Sequence, residues 1–156
     1  MITNIKIISG GQSGVDRAAL DFALENEFPC GGWCPKGRKA EDGRISDKYP
    51  LQETGTYLYV VRTKLNVDSS DATLILFAGE LGNGSAFTAE YALTKKKPLL
   101  IANMTNKNAH KNVADWLRSN EIDILNIAGP RESTSPGIYQ LSLDFLEKVL
   151  KDGAGH

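Results

Sequence analysis

The sequence predicts an α/β fold: one doubly wound, Rossmann-like domain with a mainly parallel sheet of about five strands and helices on both faces. Three observations lead there. Short β-branched runs alternate with longer stretches of helical period. The runs are continuously apolar, as strands covered on both faces require. Glycine-containing segments stand where strands end and helices begin. The 156 residues suit a single unit spanning 1–156, with no internal repeat, low-complexity stretch or linker. At this length roughly 68–70% of the unfolded chain's surface can be buried, so one core suffices.

The elements follow in order. Residues 5–8 form a buried strand, and Val15, Ala18, Ala19, Phe22 and Ala23 then recur at the spacing of one helix face. Residues 29–34 give a weaker second strand. Residues 36–54 are irregular and rich in glycine and charge, and a loop of that length is expected to be functional or mobile. A helix is predicted over 57–67, with Leu58, Val61 and Leu65 on one side, and 72–77 is the clearest buried strand. Residues 85–97 read as a helix whose three closing lysines complement its negative end and which Pro98 stops. A strand at 99–102 follows, and Val113, Trp116, Leu117 and Asn120 mark a helix with Trp116 in the core. Residues 124–128 are the last strand. The final helix starts with Ser135 as N-cap and Pro136 at its first position, turning Ile138, Leu141, Phe145, Leu146 and Val149 inward.

Composition excludes several classes of function. Hydrophobic residues at 41% and charged residues at 24% rule out a collagen-like or wholly disordered chain. Eighteen basic against 19 acidic residues give a net charge of −1, so no global field holds nucleic acid or a membrane, and any anion site must be local. The apolar runs are far short of the ~20 residues that span a bilayer, and residues 1–10 lack the apolar core of a signal peptide, so a cytoplasmic protein is expected. Cys30 and Cys34 lie on an extended stretch, about 13 Å apart at ~3.3 Å per residue, too far for a disulfide or a shared metal. His110 and His156 have no partner at ligand spacing, and no protein metal site is expected.

The chemistry concentrates at strand exits. Gly10, Gly11, Gln12, Ser13 and Gly14 follow the first strand; Gly82, Gly84, Ser85 and Thr88 follow the third; Gly129, Pro130, Arg131 and Ser133 follow the last. In an open parallel sheet all strand exits share one edge, so these segments should form one crevice. Helix N-termini offer unpaired N–H groups and partial positive charge, and glycine lets a ligand approach them. The expected partner is a small anionic molecule, most simply a phosphate, held by Gly11, Gly14, Ser85 and Arg131. The bland alternative is that the glycines only make turns.

The first segment is close to a G-x-G-x-x-G dinucleotide fingerprint, but Ser9 stands at its first glycine. The second strand ends in Cys34-Pro35-Lys36-Gly37-Arg38, where an NAD binder would place an acid, so NAD is disfavoured. No G-x-x-x-x-G-K-[ST] motif supports P-loop chemistry. Lys36, Arg38 and Lys39 could pair a phosphate or solvate a loop, with Arg38 favoured by its planar fork. Asp16 and Arg17 could cap the first helix or reach the crevice. Trp33 could close over a flat heterocycle or belong to the core. Glu90 could act as a general acid or hydroxyl ligand, or be a solvated helix residue. No Ser/His/Asp set can be assembled.

Four segments together carry a resemblance: Ser9-Gly-Gly-Gln-Ser-Gly-Val-Asp-Arg-Ala-Ala-Leu-Asp21; Gly31-Gly-Trp-Cys-Pro-Lys-Gly-Arg38 with Ala40-Glu-Asp-Gly43; Tyr49-Pro-Leu; and Ala128-Gly-Pro-Arg-Glu-Ser133 with Pro136-Gly-Ile-Tyr139. Over nearly its full length the chain resembles the family named "putative molybdenum carrier", which is related to YpsA and sits in the SLOG superfamily. The resemblance implies a Rossmann-like fold that binds a nucleotide or nucleotide-derived ligand at its strand exits. By the family's name it also implies carriage of the molybdenum cofactor, a phosphate-bearing pterin whose own sulfurs hold the metal, with nothing bound covalently. Superfamily analogy implies a homodimer or higher homo-oligomer. Other superfamily members are nucleoside 5′-monophosphate phosphoribohydrolases, marked by an Arg on the helix before a Pro-Gly-Gly-x-Gly-Thr-x-Glu-Glu loop. Here Arg62 matches the Arg and Gly84-Ser85 the Gly-Thr, but Phe87 and Thr88 replace the two acids. Glu90 is displaced by at least two residues, which turns it about 200° around a helix from Thr88.

The leading expectation is a binding or carrier protein for a phosphate-bearing heterocycle. The alternative is an N-glycosidase in which Arg62 positions the phosphate and Glu90 stabilises the sugar cation. A third is a ligand sensor that presents residues 36–54 to another protein.

Overall fold

The computed structural model describes residue 2 and residues 4–152. Its elements in chain order are β1 (Lys6–Ile8), α1 (Val15–Glu25), β2 (Cys30–Gly31), β3 (Trp33–Cys34), β4 (Lys39–Ala40), β5 (Gly43–Arg44), β6 (Gln52–Glu53), α2 (Tyr59–Asp68), β7 (Ala72–Phe77), α3 (Asn83–Thr94), β8 (Leu99–Asn103), α4 (Ala109–Ser119), β9 (Ile124–Ala128) and α5 (Ile138–Glu147), closed by a π-helical turn, Lys148–Asp152. Five strands form the expected parallel sheet in the order β2-β1-β9-β7-β8. The last strand is threaded into the middle, with Ile7 opposite Leu125 and Leu74 opposite Ile127.

One core packs α1, α4 and α5 on the sheet through Val15, Phe22, Val113, Leu117, Phe145 and Leu146. Helices α2 and α3 pack on each other and contribute nothing to that core. The chain therefore leaves β1 into a helix on one face and β7 into a helix on the other, with β9 between them. A sheet that winds in opposite senses from adjacent strands opens a crevice at that point.

Five sequence expectations change in detail. The strand over 29–34 is broken at Gly32, whose φ of +131° turns Trp33 and Cys34 off the main sheet to pair with β6; a Cβ there would strike the Ser9 carbonyl. The irregular stretch 36–54 is ordered around a second core of Leu20, Cys34, Ala40, Ile45, Tyr49 and Leu51. It escaped the period count because its strands are two residues long. The buried face of α2 is not that of Leu58, which is 62% exposed, but that of Arg62, Asn66 and Val67. The final helix starts later than Ser135 and Pro136: its N-cap is Gly137, at φ +90°. Helix α3 ends at Thr94, and Lys97 donates instead to the carbonyls of Val67, Asp68 and Ser70 at the end of α2. Trp116 lies partly buried against the main core. His156 lies outside the described residues.

Candidate functional site

A cleft of about 290 Å³ opens where β1, β9 and β7 end. All three predicted segments reach it, through Gly10 and Gln12, through Gly82, Gly84, Ser85 and Thr88, and through Gly129, Pro130 and Arg131. Helix α2 supplies a fourth wall with Tyr59, Arg62 and Asn66, and Asp16 forms part of the lining.

The three helix N-termini behind these segments are not equivalent. That of α1 is closed by the last segment: the Val15 amide donates to the Pro130 carbonyl, 3.2 Å, and a Cβ on Gly14 would collide with the same oxygen. That of α5 is capped by Glu132, whose carboxylate accepts from the amides of Gly137 at 2.6 Å and Tyr139 at 3.0 Å. Helix α3 has no side-chain cap, and its first amide with a carbonyl partner is Ala86, bonded to Gly82 at 3.1 Å. A Cβ added at Gly82 or Gly84 would meet nothing within 4 Å. The amides of residues 83–85 are thus the open ones, and unpaired amides at a helix start favour an anion.

Gln12 points to the same use. Its Oε1 accepts from the amides of Ser13, 3.1 Å, and Glu41, 2.8 Å, which fixes the orientation of the side-chain amide. Its Nε2 is then buried with no partner among the described residues. An unsatisfied buried donor costs about 1–3 kcal/mol, which a ligand acceptor would recover.

Charge in the cleft is mixed. Burial pushes the Asp16 carboxyl up to about 6, against the pull of Arg62, the Gln12 and Gly10 backbone and Arg17. Arg62 donates from Nη1 to the Gly10 carbonyl, 2.9 Å, and from Nε to Thr63, 3.3 Å. Burial lowers its pKa, with Asp16 opposing. Its guanidinium lies 5.0 Å from the centroid of the Tyr59 ring, with Arg131 at 5.4 Å and Lys39 at 5.0 Å from the same ring.

Several expected ligand residues have other work. Arg38 is buried and donates to the carbonyls of Ile45, Ser46, Tyr49 and Leu51, so its fork organises the long segment and holds no phosphate. Trp33 is off the cleft, bonded to Ser69 by its indole and to Asn66 by its backbone, and cannot close over a ring there. Lys36 sits over Tyr57, away from the lining. Arg17 makes a two-pronged pair with Asp42, 2.9 and 3.0 Å, and also holds the Gly11 carbonyl. Gly11 faces Ile45 and Leu51, and Gly14 faces Pro130, so both are packing positions. Ser13 and Ser133 donate their hydroxyls to Glu41. Glu90 is exposed and does not line the cleft, because the helix turn that buries Thr88 carries it outward. Residues not foreseen in the cleft include Tyr59, Asn66 and Asn126. Asn126 alone had a legible signal, as a polar residue inside the apolar run of β9; it is 2% exposed.

A family model described as the circularly permutated YpsA SLOG family matches residues 7–150. The chain belongs to that family. The chain is also 49% identical to a crystal structure named "Putative molybdenum carrier protein" from Syntrophus aciditrophicus SB. The match covers 95% of this chain and 96% of the other, with a TM-score of 0.91. No protein with a curated description matches it. Among the described residues no helix is long and apolar enough to cross a membrane, and no three His, Cys, Asp or Glu side chains gather as metal ligands.

Proposed function

We propose that this protein binds and carries a phosphate-bearing heterocycle, a nucleotide or a pterin of the molybdenum-cofactor kind. Its phosphate would rest on the amides of residues 83–85. The observation that carries this reading is the buried Gln12 Nε2, without a partner among the described residues, in the same cleft as the uncapped start of α3. The name of the Syntrophus relative supplies the molybdenum half of the reading. The lining suits a cargo that brings its own metal ligands, since it offers amides, guanidinium groups and one carboxylate, with neither Cys nor His. Hydrolysis through Glu90 loses its support, because that carboxylate faces solvent outside the cleft.

Calorimetric titration with AMP, GMP and a pterin phosphate tests the proposal. Saturable binding of at least one is expected, and no binding across the panel overturns it. Gln12→Glu keeps the oxygen that accepts from Ser13 and Glu41 and replaces the orphan donor by an anionic oxygen. It is expected to weaken binding about 100-fold, the equivalent of ~2.7 kcal/mol, while the fold is retained.

A further inference from the structure

We infer that the cleft takes a ligand with two anionic groups, the second held by Arg62 and Arg131 of the lining and by Lys39, which approaches the ring of Tyr59 from outside the lining. This inference rests on the proposed binding of a phosphate at α3 and specifies the class of ligand. Three cations within 5.0 to 5.4 Å of one ring centroid are more than one phosphate at the start of α3 calls for. They come from three separate parts of the chain: β4, α2 and the segment after β9.

Arg62 and Arg131 repel each other, and the proximity of Arg131 helps to lower the pKa of Arg62. Asp16 opposes this repulsion at Arg62 and acts on it more strongly than Arg131 does, but among the described residues it is not a hydrogen-bond partner of either guanidinium group. Its carboxyl is already engaged by the backbone of Gln12 and Gly10. Glu41 approaches Arg131 only to 4.0 Å and already accepts the hydroxyls of Ser13 and Ser133 and the Ser133 amide.

Donors remain available. Neither Arg131 nor Lys39 donates a hydrogen bond within the described residues, and Arg62 uses Nε and Nη1, leaving Nη2 without a partner. The π face of a tyrosine is the weaker partner for such groups. A cation–π contact is worth ~0.5–2 kcal/mol, and a charge-assisted hydrogen bond ~1.5–3 kcal/mol. An incoming anion would therefore take the cations from the ring. Tyr59 lines the cleft together with Gly82, Gly84 and Ser85, so one molecule can touch both places.

The test is calorimetry on the full chain at low salt. Orthophosphate and AMP are compared with pyrophosphate, ADP and adenosine 3′,5′-bisphosphate, so that adjacent and separated anions are both sampled. The two-anion probes are expected to bind at least tenfold more tightly than the matching one-anion probes. Lys39→Gln, at an exposed position, and Arg131→Gln are each expected to reduce that preference severalfold, with the melting temperature as a check on folding. Equal affinity for one- and two-anion probes overturns the inference and leaves the proposed function standing. A preference that survives in both folded variants also overturns it. Absence of binding by every probe removes the phosphate site and this inference with it.

Discussion

At the residue scale the cleft is defined by side chains whose surroundings contradict their ordinary behaviour. Asp16, in the first turn of α1, has the position of a routine helix-dipole acid, yet its burial outweighs Arg62 and Arg17 and raises its carboxyl from 3.8 to about 6. The folded protein holds this proton more tightly than the unfolded chain does. The associated stability is complete below about pH 4 and is lost as pH rises through about 6, on the order of 3 kcal/mol in all. Asp16→Asn removes the titration. Relative to wild type, the variant is expected to melt higher at pH 7.5 than it does at pH 4, and a difference independent of pH would refute the assignment. Sequence alone could nominate Asp16 but could not weigh it, because burial depends on α2 lying against the first strand exit. The same blindness explains Arg38. Its planar fork was legible, but four backbone carbonyls brought round by residues 45–51 were not, and they consume the donors that suggested an oxyanion. Trp33 was misplaced for a related reason: Gly32, at φ +131°, turns the chain before it.

At the scale of elements, glycine at three strand exits was easy to see, while the different uses of those glycines were not. Gly14 and Gly84 show the contrast. Gly14 has φ +80° and a backbone carbonyl where a Cβ would go, so Gly14→Ala combines a left-handed penalty of ~1–2 kcal/mol with a steric clash and is expected to lower the melting temperature by several degrees. Gly84 sits in the first turn of α3 with open space beside it, and alanine there gains helix propensity of up to ~1 kcal/mol. Gly84→Ala is expected to stabilise the free protein while weakening AMP binding, since the methyl group fills the approach to the amides. Thermal melts and calorimetry on both variants separate these roles, and a Gly84→Ala protein that binds AMP unchanged would show that α3 is not the phosphate seat. Capping of α5 by Glu132 was hidden because a carboxylate five residues before Gly137 reaches its amide only across the bend at residues 133–136. Glu132→Ala should cost ~0.5–2 kcal/mol, measured by urea unfolding.

At the scale of the whole molecule, the alternation of strands and helices was enough to place the cleft, because strand exits in a parallel sheet share one edge whatever order the strands take. The order itself, with β9 inserted between β1 and β7, has no signature in local period and was not foreseen. Nor was the way the long segment is tied down. Glu41 holds the first strand exit through Ser13 and the last through Ser133, and Asp42 beside it holds Arg17. These ties join residues far apart in the chain, 28 positions for Ser13 and 92 for Ser133, which no short motif can encode. Burial acts to raise the Glu41 pKa, but the bonds from Ser13 and Ser133 outweigh it and hold the carboxyl below its usual range. Its contribution is therefore present at neutral pH and lost as pH falls below the ordinary glutamate value. Glu41→Ala cuts both ties at once and leaves the two cores untouched. Hydrogen exchange should then accelerate across residues 39–44 and 131–134, with β7 and β9 protected as before. Acceleration spread evenly over the sheet would mean instead that Glu41 supports global stability, and that the segment is not a separately anchored unit beside the strand exits.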